Sequence, residues 1–384
     1  MNNKSYLYEK NYSFKPAHII NFHGIYPKKA EEYYQDGLKL KGEEKLAEAI
    51  ASFKKAVELK PDYGIALYET GWCSNELKEY SNAVSFLRKA RNNIPNEPRV
   101  YFELGYTFEK SENYDSAIAA YNNCLKLKPD YSGAFKRLGY IYYEKDNYNE
   151  AIAQFQKYEL NAKTPITDYL FWYRKGFSYN AIKEYENAKN NLKKSLEFKT
   201  DHLNTYLELG FAETKLKNND AAIEWFKKAM DIDPKSHISY NGIAEVYRDN
   251  IKNMNEAISW YQKTLLVKAN ERKACYGMGY CLNSQSKYAE AIPYLRQAIA
   301  SESTYTAAYV ELGYSLYKTG DNPGALSNFD KALSLNPKNE NARFYAGLVY
   351  ISQKNKIKAQ QMVNELKTLN SKNASLLQER VNKM

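Results

Sequence analysis

Apolar and polar positions along this chain follow a helical period, in short bursts separated by polar turns. Between Pro98 and Pro129, Tyr101, Leu104, Gly105 and Phe108 stand three and four residues apart. Polar Ser111 to Asn113 interrupt them, and Ala117, Tyr121 and Cys124 resume the period. The pattern predicts two amphipathic helices joined by a tight turn. Pro129 closes the unit, because its missing N–H and its ring stop a helix.

The unit recurs. A glycine column runs through Gly37, Gly71, Gly105 and Gly139 at 34-residue steps and resumes at Gly176, Gly210, Gly279, Gly313 and Gly347, with Ala244 in the missing place. A second column reads Ala49, Ala83, Ala117, Ala151, Ala188, Ala222, Ala257, Ala291, Ala325 and Ala359. Four residues further on stand Phe53, Leu87, Tyr121, Phe155, Leu192, Phe226, Tyr261, Leu295, Phe329 and Val363. Pro61, Pro95, Pro129, Pro234 and Pro337 end five of the second helices. A glycine inside a helix costs ~1 kcal/mol against alanine. Nine of them therefore need a compensating reason, and close helix–helix approach supplies one.

A large residue, Leu-Gly, an aromatic, Ala, an aromatic and Pro over 34 residues, as in Tyr101, Leu104-Gly105, Phe108, Ala117, Tyr121 and Pro129, resembles the tetratricopeptide repeat. The resemblance covers ten repeats over residues 30–371. It implies an all-α, right-handed superhelical solenoid of helix pairs, with first helices lining a concave groove that holds an extended peptide or partner helix.

Two places depart from the period. The step from Gly139 to Gly176 is 37 residues, an insertion near Asn161 to Thr167, and Tyr158 stands where Ala56, Ala90 and Ala229 are small; a looser junction is expected there. In the seventh repeat one extra residue is expected in the turn around Asn250 to Asn255. Residues 1–29 lie outside the repeat and are expected to form an N-terminal arm or cap. Residues 372–384 read as a capping helix with Leu376, Leu377 and Val381 on one side, covering the last apolar face. With both ends capped, a monomer is expected.

Composition changes the picture at three points. The chain of 384 residues has 37 tyrosines, whose apolar body and polar tip suit half-buried surfaces. A net charge of +10 raises the possibility of an acidic partner or nucleic acid, yet the lysines come singly or in pairs among glutamates, as on a solvated surface. The apolar stretches are too short for a membrane helix, so no membrane partner and a cytoplasmic location are expected. Cys73, Cys124, Cys275 and Cys281 fall inside helical patterns with no metal or bridge spacing, and their expected role is packing. His18 and His23 lack companion ligands. No Walker motif or G-x-S-x-G is present, and Gly277-Met-Gly279 sits in a helical pattern without the strand of a dinucleotide loop, so neither catalysis nor a cofactor is expected. Glu103, Glu208 and Glu311 recur at repeat spacing, which argues for a structural or groove-lining position.

The residue after each glycine, and the one four before it, should face the groove. These are Trp72 with Tyr68, Tyr106 with Phe102, Tyr140 with Lys136, Phe177 with Tyr173, Phe211 with Leu207, Tyr280 with Tyr276, and Tyr314 with Val310. Asn241, Glu245 and Arg248 interrupt this aromatic ladder in the seventh repeat. The aromatics either form a recognition surface or pack against adjacent first helices, and both can hold. One variant of the family binds acidic chaperone tails through Lys and Asn in the groove. Its Asn position is here Leu38, Trp72 and Tyr106, so that clamp is not expected. The leading expectation is a non-enzymatic scaffold or adaptor binding a protein or peptide segment. The alternative is single-stranded RNA stacked on groove aromatics with lysines at the phosphates.

Overall fold

In the computed structural model, residues 28–384 are described, so most of the arm expected over residues 1–29 lies outside the described residues. They form ten helix pairs and one further helix, with no strand among them. The second helices end where the prolines require: Leu46–Leu59, Tyr80–Asn93, Tyr114–Leu127, Asn219–Ile232 and Asn322–Leu335 each stop two residues before one.

Within each unit first helices pack along the second helices that follow, as Gly64–Glu76 on Tyr80–Asn93 and Tyr169–Ala181 on Tyr185–Phe198, and second helices against the next first helix, as Leu46–Leu59 on Gly64–Glu76 and Tyr185–Phe198 on Leu203–Lys215. Further contacts join first helices to one another, as between Gly64–Glu76 and Pro98–Lys110 and between Arg272–Ser284 and Thr306–Lys318. The chain divides into two compact units, one ending at Ile141 and one beginning at Tyr142. The division falls inside the helix Ser132–Glu144, one helix earlier than the insertion.

The three columns meet. A Cβ added at Gly105 would lie 2.6 Å from the Tyr121 ring, at Gly71 2.5 Å from Leu87, at Gly210 2.7 Å from Phe226 and at Gly313 2.6 Å from Phe329. Glycine is therefore required by contact. The ten turns between paired helices carry a positive φ at one residue each: Glu44, Lys78, Glu112, Asp146, Lys183, Lys217, Lys252, Ser286, Gly320 and Lys354. This is the left-handed residue that ends a helix and turns the chain back. Gly320 alone among them is glycine.

The extra residue of the seventh repeat is not in the turn. It is absorbed one step earlier, in a π-helical stretch Val246–Ile251 that continues His237–Glu245. The closing bond runs from Asn253 N–H to the Tyr247 carbonyl, six residues back, whereas Asn113 N–H reaches Phe108, five back. Widening the last turn keeps the second helix in register with its neighbours.

At the insertion, Phe171 meets Phe155 at 5.3 Å, Tyr158 at 5.1 Å and Trp172 at 4.9 Å between ring centres. The Trp172 indole N–H donates to the Ile166 carbonyl, and Lys175, buried, pairs with Glu159. Tyr158 thus fills space in an aromatic cluster. The final helix, Asn373–Asn382, buries Ala374, Leu377 and Val381 against the last pair, and Leu377 touches Gly347. Leu376, expected on the same side, is 43% exposed instead. One step along a helix turns a side chain by about 100°, away from the 374, 377, 381 stripe.

Candidate functional site

The face built by the first helices is set by helical geometry. The residue after each glycine lies about 100° round from it, and the residue three before lies about 60° round, closer to the core. Burial follows that difference. In the earlier column Tyr68, Phe102, Leu207 and Val310 are buried, and Lys136, Tyr173 and Tyr276 are half-buried. In the later column Trp72, Tyr106, Phe177, Tyr280 and Tyr314 keep part of their surface open, Phe211 is 40% exposed, and Tyr140 alone is buried.

In the unit ending at Ile141, each of these rings is met by a cation or another ring. The Lys41 ammonium lies 3.7 Å from the Trp72 ring centre, Arg99 lies 5.1 Å from Tyr68, and Arg137 lies 5.0 Å from Tyr106. Lys136 lies 5.7 Å from Tyr140. Phe102 is stacked on Tyr131 at 5.0 Å. In the unit beginning at Tyr142, Phe177 packs on Tyr143 and Tyr148, Tyr173 on His202 at 4.8 Å, Tyr276 on Tyr305 at 5.1 Å, and Tyr314 on Tyr345 at 4.8 Å. Phe211 meets Tyr185 at 6.1 Å.

Beneath the rings runs a polar stitch that reading the sequence by periodicity alone had not separated out. At five junctions the residue four after a glycine bonds the residue two before the next, 28 positions along. Lys41 pairs with Glu69 at 2.5 Å and Arg137 with Glu109 at 3.2 Å. The Asn75 amide donates to the Glu103 carboxylate at 3.0 Å, Asn180 to Glu208 at 2.8 Å, and Asn283 to Glu311 at 2.8 Å. The Thr107 and Ser315 hydroxyls complete two of these by donating to Asn75 and Asn283. The three glutamates noted for their spacing are thus partners of asparagines one repeat back. Burial pushes the Glu103 carboxyl up to about 7, against the Asn75 hydrogen bond that holds it down; burial likewise raises Glu208 and Glu311. The signal in the sequence was the pairing of Asn and Glu at 28 residues, a spacing shorter than the repeat.

The stitch fails on both sides of the seventh repeat. By position in the repeat, Thr214 would pair with Gly242 and Arg248 with Gly277, and neither glycine has a side chain to bond. A Cβ at Gly242 would strike the Phe226 ring at 2.5 Å, and one at Gly277 the Tyr261 ring at 2.2 Å. That is the role of the first glycine in Gly277-Met-Gly279. Asn250 makes its own link back, donating to the Thr214 carbonyl and to Asn219, both at 2.9 Å.

The four cysteines are buried and free, and burial pushes the Cys73, Cys124 and Cys281 thiols up to about 12 and Cys275 to about 11. They pack as thiols and are too weakly acidic to act as thiolates near neutral pH. Among the described residues no cluster of three or more His, Cys, Asp or Glu could hold a metal, and no helix is long and apolar enough to cross a membrane.

Several profiles described as tetratricopeptide repeat match the chain, at residues 30–98, 98–131, 169–202, 203–236 and 273–305, and one described as TPR repeat matches 313–354. Together they cover more than half of its length. A TPR repeat-containing protein of Methanocaldococcus jannaschii is 27% identical over 182 residues, 45% of this chain and 25% of that protein. Anaphase-promoting complex subunit 3 of Schizosaccharomyces pombe is 27% identical over 88 residues, 23% of this chain and 13% of the relative. The matched stretches thus span a quarter or less of these relatives' own length. Among solved structures, the APC/C hetero-tetramer Cut9-Hcn1 aligns over 92% of this chain and 96% of that chain with a TM-score of 0.50 at 12% identity. A tetratricopeptide repeat protein from Parabacteroides merdae aligns over 66% and 98% with a TM-score of 0.51 at 17% identity. At such identities the likeness is one of fold.

Proposed function

We propose that this chain, which belongs to the tetratricopeptide repeat family, is a non-enzymatic scaffold that holds a protein or peptide segment in the groove lined by its first helices. The observation that carries the reading is the column after the glycines: Trp72 and Tyr106 in the first unit, and Phe177, Phe211, Tyr280 and Tyr314 in the second, keep part of their surface open on the first helices. Rings of this kind give large contact area at small entropic cost. The cations and neighbouring rings against them hold each at a fixed angle, so little order is left for a ligand to impose. Tyr68, Phe102 and Tyr140 are covered, and in this reading they form the floor under the groove. The relative from the anaphase-promoting complex is by name a subunit of a larger assembly, which suits a scaffold role.

Affinity capture with quantitative mass spectrometry, run on the wild type and on a Phe211→Ala/Tyr280→Ala variant of unchanged melting temperature, tests the reading. Partners held by the groove should fall at least tenfold in the variant. Partners retained at wild-type levels by a folded variant would place docking elsewhere and end the groove assignment. A parallel titration with a single-stranded RNA oligonucleotide separates the alternative, for which affinity would fall steeply with salt.

A further inference from the structure

In the unit beginning at Tyr142, two positions recur in the seam between a second helix and the first helix that follows: eight residues after the alanine, and one before the glycine or Ala244. Leu196 with Leu209 and Met230 with Ile243 share apolar clusters there, and the three junctions after them carry apolar residues in the same two places. At the first junction of the unit these places hold Glu159 and Lys175, paired as ions. An apolar pair is stabilised by leaving water, whereas taking two charges out of water costs about what their attraction returns. The seam is therefore weaker at this junction than at the others.

The pair is unevenly placed. Lys175 is 6% exposed, and burial holds its ammonium below the ordinary lysine range, with Lys194 lowering it further and the bond to Glu159 opposing both. Glu159 keeps 27% of its side-chain surface open, so the carboxylate has a way out to solvent and the ammonium has none. The connection alongside is also the longest of those between repeats in this unit: residues 162–168 join the two helices, where residues 199–202 and 233–236 serve at the next junctions. Phe171, Lys175 and Tyr179 stand four apart on one stripe of Tyr169–Ala181. Phe171 meets the rings of Phe155 and Tyr158 at one end of that stripe, and further along the contacts include the ion pair and a hydrogen bond of 3.2 Å from the Gln156 amide to the Tyr179 hydroxyl.

We infer that Lys175 and Glu159 form a latch, and that the junction between Tyr148–Asn161 and Tyr169–Ala181 opens about the Phe171 contacts when the pair parts. Glu159 turns out to water, and the slack in residues 162–168 lets the helices separate without unwinding. The junction then has two states, and a partner that prefers one of them shifts the balance.

Pulsed electron spin resonance on the full chain tests it. The four native thiols are buried, so nitroxides go to introduced cysteines at matching exposed positions: Leu160→Cys with Glu197→Cys spans the latch, and Glu197→Cys with Asp231→Cys spans the apolar junction beside it. The first pair should give a short and a long distance population and the second pair a single one. Lys175→Leu/Glu159→Leu, which places leucine at both positions as at the next junction, should shrink the long population about tenfold. Glu159→Gln, which keeps an acceptor and removes the charge, should enlarge it, because the buried ammonium loses its counter-ion. Each variant is read at a temperature where its circular dichroism matches that of the wild type. A single population across the latch in the wild type, the same two populations at both junctions, or a long population that the double change leaves as it was overturns the inference.

Discussion

Replacing Gly105 by Ala tests whether the glycine column exists for contact. In an exposed helix the change would stabilise the protein by ~1 kcal/mol through helix propensity. Here the new Cβ would lie 2.6 Å from Cε1 and 2.7 Å from Cδ1 of Tyr121. The ring has nowhere to retreat: it is fully buried, Phe102 packs on it at 5.5 Å, and its hydroxyl donates to Glu109 at 2.8 Å. Overpacking of this kind costs about 1–3 kcal/mol, so a net loss of roughly 0–2 kcal/mol is expected once the propensity gain is subtracted. Ala244 is the control. Its Cβ is already accommodated and fully buried, so Ala244→Gly should lose the propensity of about 1 kcal/mol and the burial of one methyl, about 0.8 kcal/mol. Urea denaturation followed by circular dichroism reads both as shifts in midpoint at unchanged slope. A Gly105→Ala protein more stable than wild type would refute the contact argument.

Two further outcomes follow from particular groups. The folded Glu103 carboxyl titrates at about 7, above its ordinary value of 4.5, through burial and the nearby Glu76, offset by Asn75, Arg137 and Lys41. The folded state therefore binds more protons than the unfolded one between these values, and stability should fall as pH rises from about 4.5 to about 7; Glu103→Gln should flatten that fall, gaining about 1–3 kcal/mol over wild type at pH 8 and almost nothing at pH 4, and parallel pH curves would contradict it. Limited trypsin digestion should cut first after Lys163, since Lys163, Thr164, Pro165 and Thr167 are exposed in the connection between two helices; a first cut inside the second or third repeat would show the inserted junction is not the weakest point.

The helix pairs were legible because each large side chain of the second helix needs a glycine opposite it, and that requirement repeats every 34 residues. The extra residue at the seventh repeat was legible as a count, but a count does not say whether a turn lengthens or a helix widens. Only the need to keep Ala257 and Tyr261 in register with their neighbours decides for the π-helical turn. Exposure along the ladder was less legible. Helical angle separates the columns at Tyr68 and Trp72, yet Tyr140 is buried where Tyr106 keeps part of its surface open, a difference that position in the repeat does not encode. The stitch escaped notice for a related reason: Asn75 and Glu103 belong to different repeats, and their 28-residue spacing is not a period of the sequence.

The most direct measurement is site-specific photo-crosslinking of a library-selected peptide to the full chain, with benzoylphenylalanine placed singly at Tyr106, Phe211 and Tyr280 on the first helices and at Lys89, Lys228 and Gln262 on the second. The account predicts crosslinks from at least one of the first-helix positions and none from the second-helix positions. Crosslinks confined to Lys89, Lys228 or Gln262 would show that the partner lies on the opposite face and that the aromatic column is packing alone.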